Sequence, residues 1–458
     1  MSSDIDVSSP WKRLEEWADL GDVEHLQEET ENLGARESAR AISRLSVEQQ
    51  NRVLTLLGRE AAAELMEEIP EAQAVELLKH LPASYSADIL EEMQSADTAD
   101  LLGDLDDDLI AEILQEMDAE TAAEARRLVS YPTDVAGGLM ITEYLSFPVI
   151  FTARQVIDDM RSNADEYSEY SIQYTYVTDV DGKLLGVLPL RDLLLTPANT
   201  PLEKIMIGKP LSVRDYASLD ELSEFFDEHD FLGVPVVDTS DVLVGILRRR
   251  DLREALGDKA QTDYLKAQGI VGGEELRSMP VLERSKRRLS WLGVNILLNV
   301  IGAGVIAMFE DTLTKVIALT MFLPMISDMS GCSGNQAVAV TMRELSLGIL
   351  KPLDVMHVFI KEVRLGLINA VVLGITLALL AWMMKGNPYL GLVVGGSLAL
   401  NLLIAVSLGG VIPLILKRMK FDPALASGPL LTTTTDMCGF FIVLSLATFF
   451  LPHLVTTT

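Results

Sequence analysis

The sequence predicts a multidomain chain: an all-α superhelical domain, a tandem α/β pair and a polytopic α-helical membrane domain. Three observations predict it. Mean hydropathy is positive, +0.26, while the net charge is −30, so the chain has two unlike halves. Residues 284–458 hold 13 Lys and Arg against 8 Asp and Glu, a net of +5, and residues 1–283 carry a net of −35. Within the acidic half, short helical segments give way near residue 144 to strand-like segments that occur twice, about 60 residues apart. At 458 residues the chain exceeds one ordinary domain.

Residues 1–130 form the acidic helical domain, with helix expected throughout 11–130. Amphipathic segments run from Ala61 to Ile69, Ala72 to Leu81, Ser86 to Met93, Thr98 to Leu105 and Asp108 to Met117, and Pro70 and Pro82 interrupt them. Each pairs apolar with acidic positions and recurs after some 10 to 12 residues. Such units stack into a solenoid. An acidic surface of this size excludes nucleic acid and anionic lipid as partners of this half and suits cations. Cys332 and Cys438 are the only cysteines and lie in apolar segments, so no disulfide framework or zinc pattern is expected and a reducing cytosol suits the soluble part. The polar, acidic N-terminus predicts no cleavable signal peptide.

Residues 131–257 carry the repeat. Ile172 to Thr178, an Asp181-Gly182 turn and Gly186 to Pro189 lead into Leu190-Arg191-Asp192-Leu193. Gly233 to Val237, Asp238 and Leu243 to Leu247 lead into Arg249-Arg250-Asp251-Leu252. Both copies read strand, turn, strand, helix. Residues 258–283 are expected as a connecting helix.

Residues 284–458 are expected to cross the bilayer five times: Leu289 to Phe309, Val316 to Met342, Leu365 to Met384, Tyr389 to Leu416 and Gly428 to Leu451. About 20 apolar residues suffice for each. Basic clusters at Arg284–Arg288, Arg343–Arg364 and Lys417–Lys420 alternate with loops poor in them. The positive-inside rule then puts the N-terminal domains in the cytosol and the C-terminus outside a cell (inner) membrane.

Asp436 is the only charged side chain between Leu425 and Leu451. A carboxylate at membrane depth costs roughly 3 kcal/mol on insertion scales, so it is retained where it meets water, a cation or a polar partner. It marks a cation path or is a protonated acid bonded to a neighbouring helix. Gly331, Ser333, Gly334 and Asn335 interrupt the second segment; freed carbonyls with the Asn335 and Gln336 amides would be neutral oxygen donors, or the small residues pack a helix closely. Asp328, upstream of them, is a second acid at membrane depth, closer to a structural role.

The strand-turn-strand-Arg-Asp-Leu units resemble a tandem pair of CBS domains, modules that regulate and often bind adenosine nucleotides. The whole order resembles the MgtE family of magnesium transporters. Tyr131-Pro-Thr-Asp-Val-Ala-Gly-Gly-Leu-Met140 is similar to that family's junction segment, Gly331 to Gln336 to its second-span motif, and Asp422-Pro-Ala-Leu-Ala-Ser-Gly-Pro429 with Thr435, Asp436 and Gly439 to its fifth-span signature. The resemblance implies a homodimer in membrane lipid, a pore where Asp436 holds hydrated Mg²⁺, and Asp422 near its cytosolic end. It implies regulatory Mg²⁺ on Glu64, Asp100, Asp220, Asp230, Asp251, Glu254 and Asp263. The acid is missing at Ala96, Ser218, Lys259 and Thr262; Cys332 replaces the usual Asn and Asp328 a small residue.

The expected function is therefore Mg²⁺ import down the membrane potential, gated by cytosolic Mg²⁺ at the acidic interface, with an adenosine nucleotide as a further ligand of the CBS pair. No GxxxxGK[ST] motif supports ATP hydrolysis. His25, His80, His229, His357 and His453 are scattered and form no catalytic motif, so an enzyme is not expected. Alternatives are a transporter of Co²⁺ or Mn²⁺ and a membrane-anchored cation sensor without transport.

Overall fold

The structure, a computed structural model, describes residues 9–165, 167, 170, 173–273, 275–276, 279 and 281–455; Ile172, the expected strand start, lies outside them. The described residues pack as two units, one essentially up to Gly257 and one from Asp258 onward.

The first unit opens with α1 (Pro10–Leu20), α2 (Val23–Leu33), α3 (Ala35–Ile42), α4 (Val47–Leu57), α5 (Arg59–Glu68), α6 (Glu71–Leu78), α7 (Ala83–Glu91), α8 (Ser95–Gly103), α9 (Asp107–Glu116) and α10 (Ala119–Val129). The starts are local: Pro70 and Pro82 precede α6 and α7, Ser46 makes a capping box with Gln49, and the Asp118 carboxylate accepts from Glu120 and Thr121. From α4 to α9 the buried side chains repeat every 12 residues: Leu54, Met66, Leu78, Leu90, Leu102 and Leu114. The set Leu57, Ile69, Leu81, Met93, Leu105 and Met117 repeats likewise. One helix and one turn fill each period. From α3 onward each helix packs on the helix two ahead, α3–α5–α7–α9 in one row and α4–α6–α8–α10 in the other. That is the expected solenoid.

The junction segment turns through α11 (Ala136–Leu139). A Cβ on Gly138 would lie 2.3 Å from the Pro132 carbonyl oxygen, so only glycine fits that turn. The strands and helices that follow are β1 (Leu145–Pro148), α12 (Ala153–Ser162), β2 (Tyr174–Thr178), β3 (Leu184–Pro189), α13 (Leu190–Leu195), β4 (Ile207–Gly208), β5 (Val213–Arg214), α14 (Leu219–Glu228), β6 (Gly233–Val237), β7 (Leu243–Arg248) and α15 (Arg249–Ala267). The first sheet has the order β1-β2-β3-β4 and the second β5-β6-β7. β1 is parallel to β2 and β5 to β6, while β2–β3 and β6–β7 are antiparallel. Both antiparallel pairs slip register at matching places, Val177/Thr178 and Val236/Val237, which makes the internal repeat a structural one. The solenoid docks on the second copy: Ala99 and Leu128 share a core with Ala136, Met140, Val236 and Leu247.

The second unit contains α16 (Val281–Ala307), α17 (Glu310–Lys315), α18 (Leu323–Ser346), α19 (Val355–Lys385), α20 (Pro388–Arg418), α21 (Pro423–Phe449) and α22 (Leu451–Val455). Three expectations are corrected here. The connector is not one helix over 258–283: α15 ends at Ala267, and Gly269, Gly272 and Gly273 turn the chain at positive φ. Four helical segments, Val281–Ala307, Val355–Lys385, Pro388–Arg418 and Ser427–Phe449, are long and apolar enough to cross a membrane among the described residues, against five expected. The remaining segment, α18, has the length but carries Asp328, Asn335, Gln336, Arg343 and Glu344, which lower its hydropathy. Nor is α18 interrupted: it is α-helical from Leu323 through Ser346. Gly334 serves close approach instead. A Cβ on Gly409 of α20 would lie 2.3 Å from the Gly334 carbonyl oxygen, and one on Gly334 would lie 2.8 Å from Leu431.

Candidate cation path and acidic interface

Asp436 sits mid-way along α21, half-buried, and accepts a hydrogen bond from the Ser327 hydroxyl of α18 at 2.5 Å. The threonines beside it satisfy themselves within the helix: Thr435 donates to the Thr432 carbonyl and Thr434 to that of Leu430. Among the described residues, that leaves one carboxylate with a single neutral donor.

On α18, Asp328, Cys332, Asn335 and Gln336 are all exposed in the single chain. Spacings of four, seven and eight residues put them on one face, and the Cys332 thiol points toward Asp328 at 4.0 Å. Gly331 is half-buried with open space where a side chain would be, while Gly334 is buried. So the structure bonds Asp436 to Ser327 and leaves Asp328 on the neighbouring polar stripe.

Asp422 is the N-cap of α21, where its carboxylate accepts from the Ala424 amide at 2.9 Å. Lys266 of α15 donates to its other oxygen at 3.0 Å. Asp263 lies one turn before Lys266, and burial followed by the nearby Asp422 charge raises its pKa. Glu275, in the turn after α15, is gripped by Arg284 and Arg288 of α16 and held well below the usual carboxylate range, at about 2.

In the first unit, Asp251 and Glu254 open α15 where the solenoid meets the second CBS copy. The Asp251 carboxylate takes the Arg248 guanidinium at 2.6 Å, and Arg248 also donates to Gln94, the residue before α8, at 2.9 Å. Asp97, in the first turn of α8, keeps a solvent-facing edge. Desolvation by the packed surfaces, with Glu67, Glu254 and Asp251 nearby, pushes its pKa up to about 6. Asp97 and Glu67 are not among the expected sensor acids; Asp97 directly follows Ala96, one of the positions expected to lack its acid.

The other expected acids are dispersed. Glu64 and Asp220 are exposed on α5 and α14, and Asp100 is half-buried one turn beyond Asp97. Asp230 is fully exposed, 3.8 Å from Arg249. Among the described residues no three His, Cys, Asp or Glu side chains group tightly enough to hold a metal ion. A cavity of about 220 Å³ between the CBS copies is lined by Tyr144, Tyr174, Tyr176, Arg248, Arg249, Arg250 and Arg253, among others.

The family model described as a divalent cation transporter matches residues 323–446, the MgtE intracellular N domain matches 33–134, and the CBS domain matches 135–198 and 202–258. A magnesium transporter MgtE of Bacillus subtilis is 34% identical over 328 residues, 71% of this chain and 72% of its own. The MgtE of Thermus thermophilus is 34% identical over 335 residues, again 71% and 72%. A crystal structure of the soluble part of a magnesium transporter aligns with TM-score 0.50 at 27% identity, covering 55% of this chain and 99% of that one.

Proposed function

The chain belongs to the MgtE family of divalent cation transporters, and on that footing we propose that it imports Mg²⁺ along a path centred on Asp436. It is a transporter and not an enzyme. The observation that carries the reading is the lone Asp436 carboxylate, half-buried in an otherwise uncharged segment and held by one hydroxyl. Mg²⁺ prefers oxygen ligands and sheds water reluctantly, so one or two carboxylates bind it through retained waters. Two copies of the chain would supply two Asp436 carboxylates around one axis. The polar stripe of α18 would face that axis. The soluble domains then lie in the cytosol. The membrane potential drives entry, about 2.3 kcal/mol per charge per 100 mV, hence about 4.6 for a divalent ion.

Cytosolic Mg²⁺ closes the path by bridging carboxylates that otherwise repel. The best-placed are Asp97, Glu67, Asp251 and Glu254 at one interface and Asp263 with Asp422 at the other. Because no such site is preformed among the described residues of one chain, ions bind as surfaces approach, which makes the interface a bistable element biased by ligand. The arginine- and tyrosine-lined cavity suits the phosphates and base of an adenosine nucleotide.

Cys332 beside Asp328 favours a second reading, carriage of a softer divalent ion such as Co²⁺ or Mn²⁺. Uptake of Mg²⁺, Co²⁺ and Mn²⁺ into Mg²⁺-limited, transporter-deficient cells decides between them. Growth rescue with preferential Mg²⁺ uptake is expected; no uptake of any of the three would leave only a sensor.

A further inference from the structure

The Ser330 hydroxyl and both ends of the Asn401 amide are sealed between helices of the membrane unit without a hydrogen-bond partner. Both residues are 0% exposed. Their level follows from the packing of α18 on α20, which run in the same direction. A Cβ on Gly334 would meet the Ala405 carbonyl at 3.1 Å, and further along Thr341 donates to the Gly410 carbonyl at 3.2 Å. One helical turn back from Gly334 and Ala405 stand Ser330 and Asn401, on the same level of the seam.

The third wall is α21. Asn401 Nδ2 lies 2.6 Å from where a Cβ on Gly439 would be, and Ile326 of α18 closes the same spot. Gly439 is one turn beyond Asp436. Ser327, which donates to Asp436, is one turn before Ser330. Ser330 thus adjoins the Asp436–Ser327 bond along α18, and the Asn401 amide approaches it from the Gly439 side of α21.

A buried amide with unmet donors and acceptors is a costly filler, because leucine has a similar size and leaves nothing unmet. Three unmet polar atoms on one helix seam match the two to four partners that a buried water needs.

We propose that Ser330 and Asn401 form a buried water-binding site that positions Asp436. The water ties α18 to α20 behind the Ser327–Asp436 bond and fixes how the carboxylate is presented to a hydrated ion. Ser330 and Asn401 never touch the ion; they set discrimination among divalent ions through Asp436. The proposal rests on the reading of Asp436 as the ion-binding carboxylate.

The test uses the full-length protein in proteoliposomes, with Mg²⁺ and Co²⁺ flux and the melting temperature measured on each variant. Ser330→Ala and Asn401→Leu are expected to assemble, to melt at or above the parent temperature, and to shift the Mg²⁺:Co²⁺ flux ratio about tenfold. Asn401→Ser keeps a polar group and should stay close to the parent ratio. Asn401→Ala with Gly439→Ala refills the space without polarity and should show the shifted ratio. An unchanged ratio in Ser330→Ala and Asn401→Leu overturns the proposal, as does a parental ratio in the double alanine variant, which would make the role steric. If Asn401→Leu fails to assemble, Ser330→Ala and the double variant decide. Asp436→Asn is measured alongside: full flux there sinks the Asp436 reading itself, whereas lost flux there with unchanged ratios elsewhere sinks only the water site.

Discussion

The Lys266 ammonium donates to the Asp422 carboxylate that caps α21, at 3.0 Å. One carboxylate thus ends a membrane helix and anchors the helix that leaves the CBS pair. With Lys266 26% and Asp422 39% exposed at their side chains, the pair contributes at most about 1 kcal/mol. Lys266→Met should move the cytosolic Mg²⁺ concentration that halves flux upward by up to about fivefold. Flux recorded against internal Mg²⁺ checks this; an unmoved midpoint would make the pair incidental.

Asp436→Asn and Asp436→Ala should reduce Mg²⁺ flux by at least tenfold while the protein still assembles. The measurement is uptake at matched membrane expression, with assembly followed by crosslinking. Parental flux in either variant would remove Asp436 from the path.

The triple change Asp230→Asn, Asp251→Asn and Asp263→Asn should leave Mg²⁺ flux on at internal Mg²⁺ that shuts the parent. The three residues will not contribute equally. Asp230 points into solvent, whereas Asp251 holds Arg248 and Asp263 lies against Asp422. Asp230→Asn alone should gate as the parent does. A triple variant that still closes at the parental concentration would reduce these acids to a solvated face.

Asp97 predicts a pH dependence. Its pKa of about 6 lies above the ordinary 3.8, so the docked state takes up a proton that the undocked state does not. Docking is therefore favoured at low pH and weakens as pH rises from near 4 to 6, reaching its full penalty above 6. A proton and Mg²⁺ each neutralise Asp97 in the docked state, so a proton substitutes for the ion there. Between pH 7.5 and 5.5, the Mg²⁺ concentration that protects the full-length protein from protease should fall as the pH is lowered, and Asp97→Asn should flatten that fall. The facing groups are Glu67, Glu254, Asp251 and Arg248; an unchanged pH profile in Asp97→Asn would assign it to one of these.

Gly409→Ala should destabilise the membrane unit by about 1–3 kcal/mol, because the new methyl meets the Gly334 carbonyl and the helices must separate. Thermal unfolding in detergent reports this directly. Gly396→Ala on the same helix, where a Cβ meets nothing within 4 Å, should be close to neutral.

The solenoid and the CBS repeat were legible because each is written locally: caps and apolar positions recur within every 12-residue period, and the strand-turn-strand unit appears twice. Asp436 was legible because nothing charged surrounds it. The glycines of α18 misled, since a missing side chain reads the same whether it breaks a helix or admits a neighbour; only the Gly409 backbone decides. Asp97, Glu67 and Arg248 escaped notice because they meet across a junction between residues about 30 to 180 apart in sequence. Ser330 and Asn401 look like ordinary small and polar helix residues until their burial is known.

The two rows of the solenoid have a consequence in time. Each helix rests on neighbours no more than three elements away, so almost every contact closes a short loop, and such topologies fold fast. Synthesis delivers this domain ahead of the apolar helices, at about 5–20 residues per second. The acidic half can thus be complete while the apolar helices are still inside the ribosome. A folded, strongly negative body is then already tethered on the side where the chain entered, and retaining it there biases the orientation of every helix that follows.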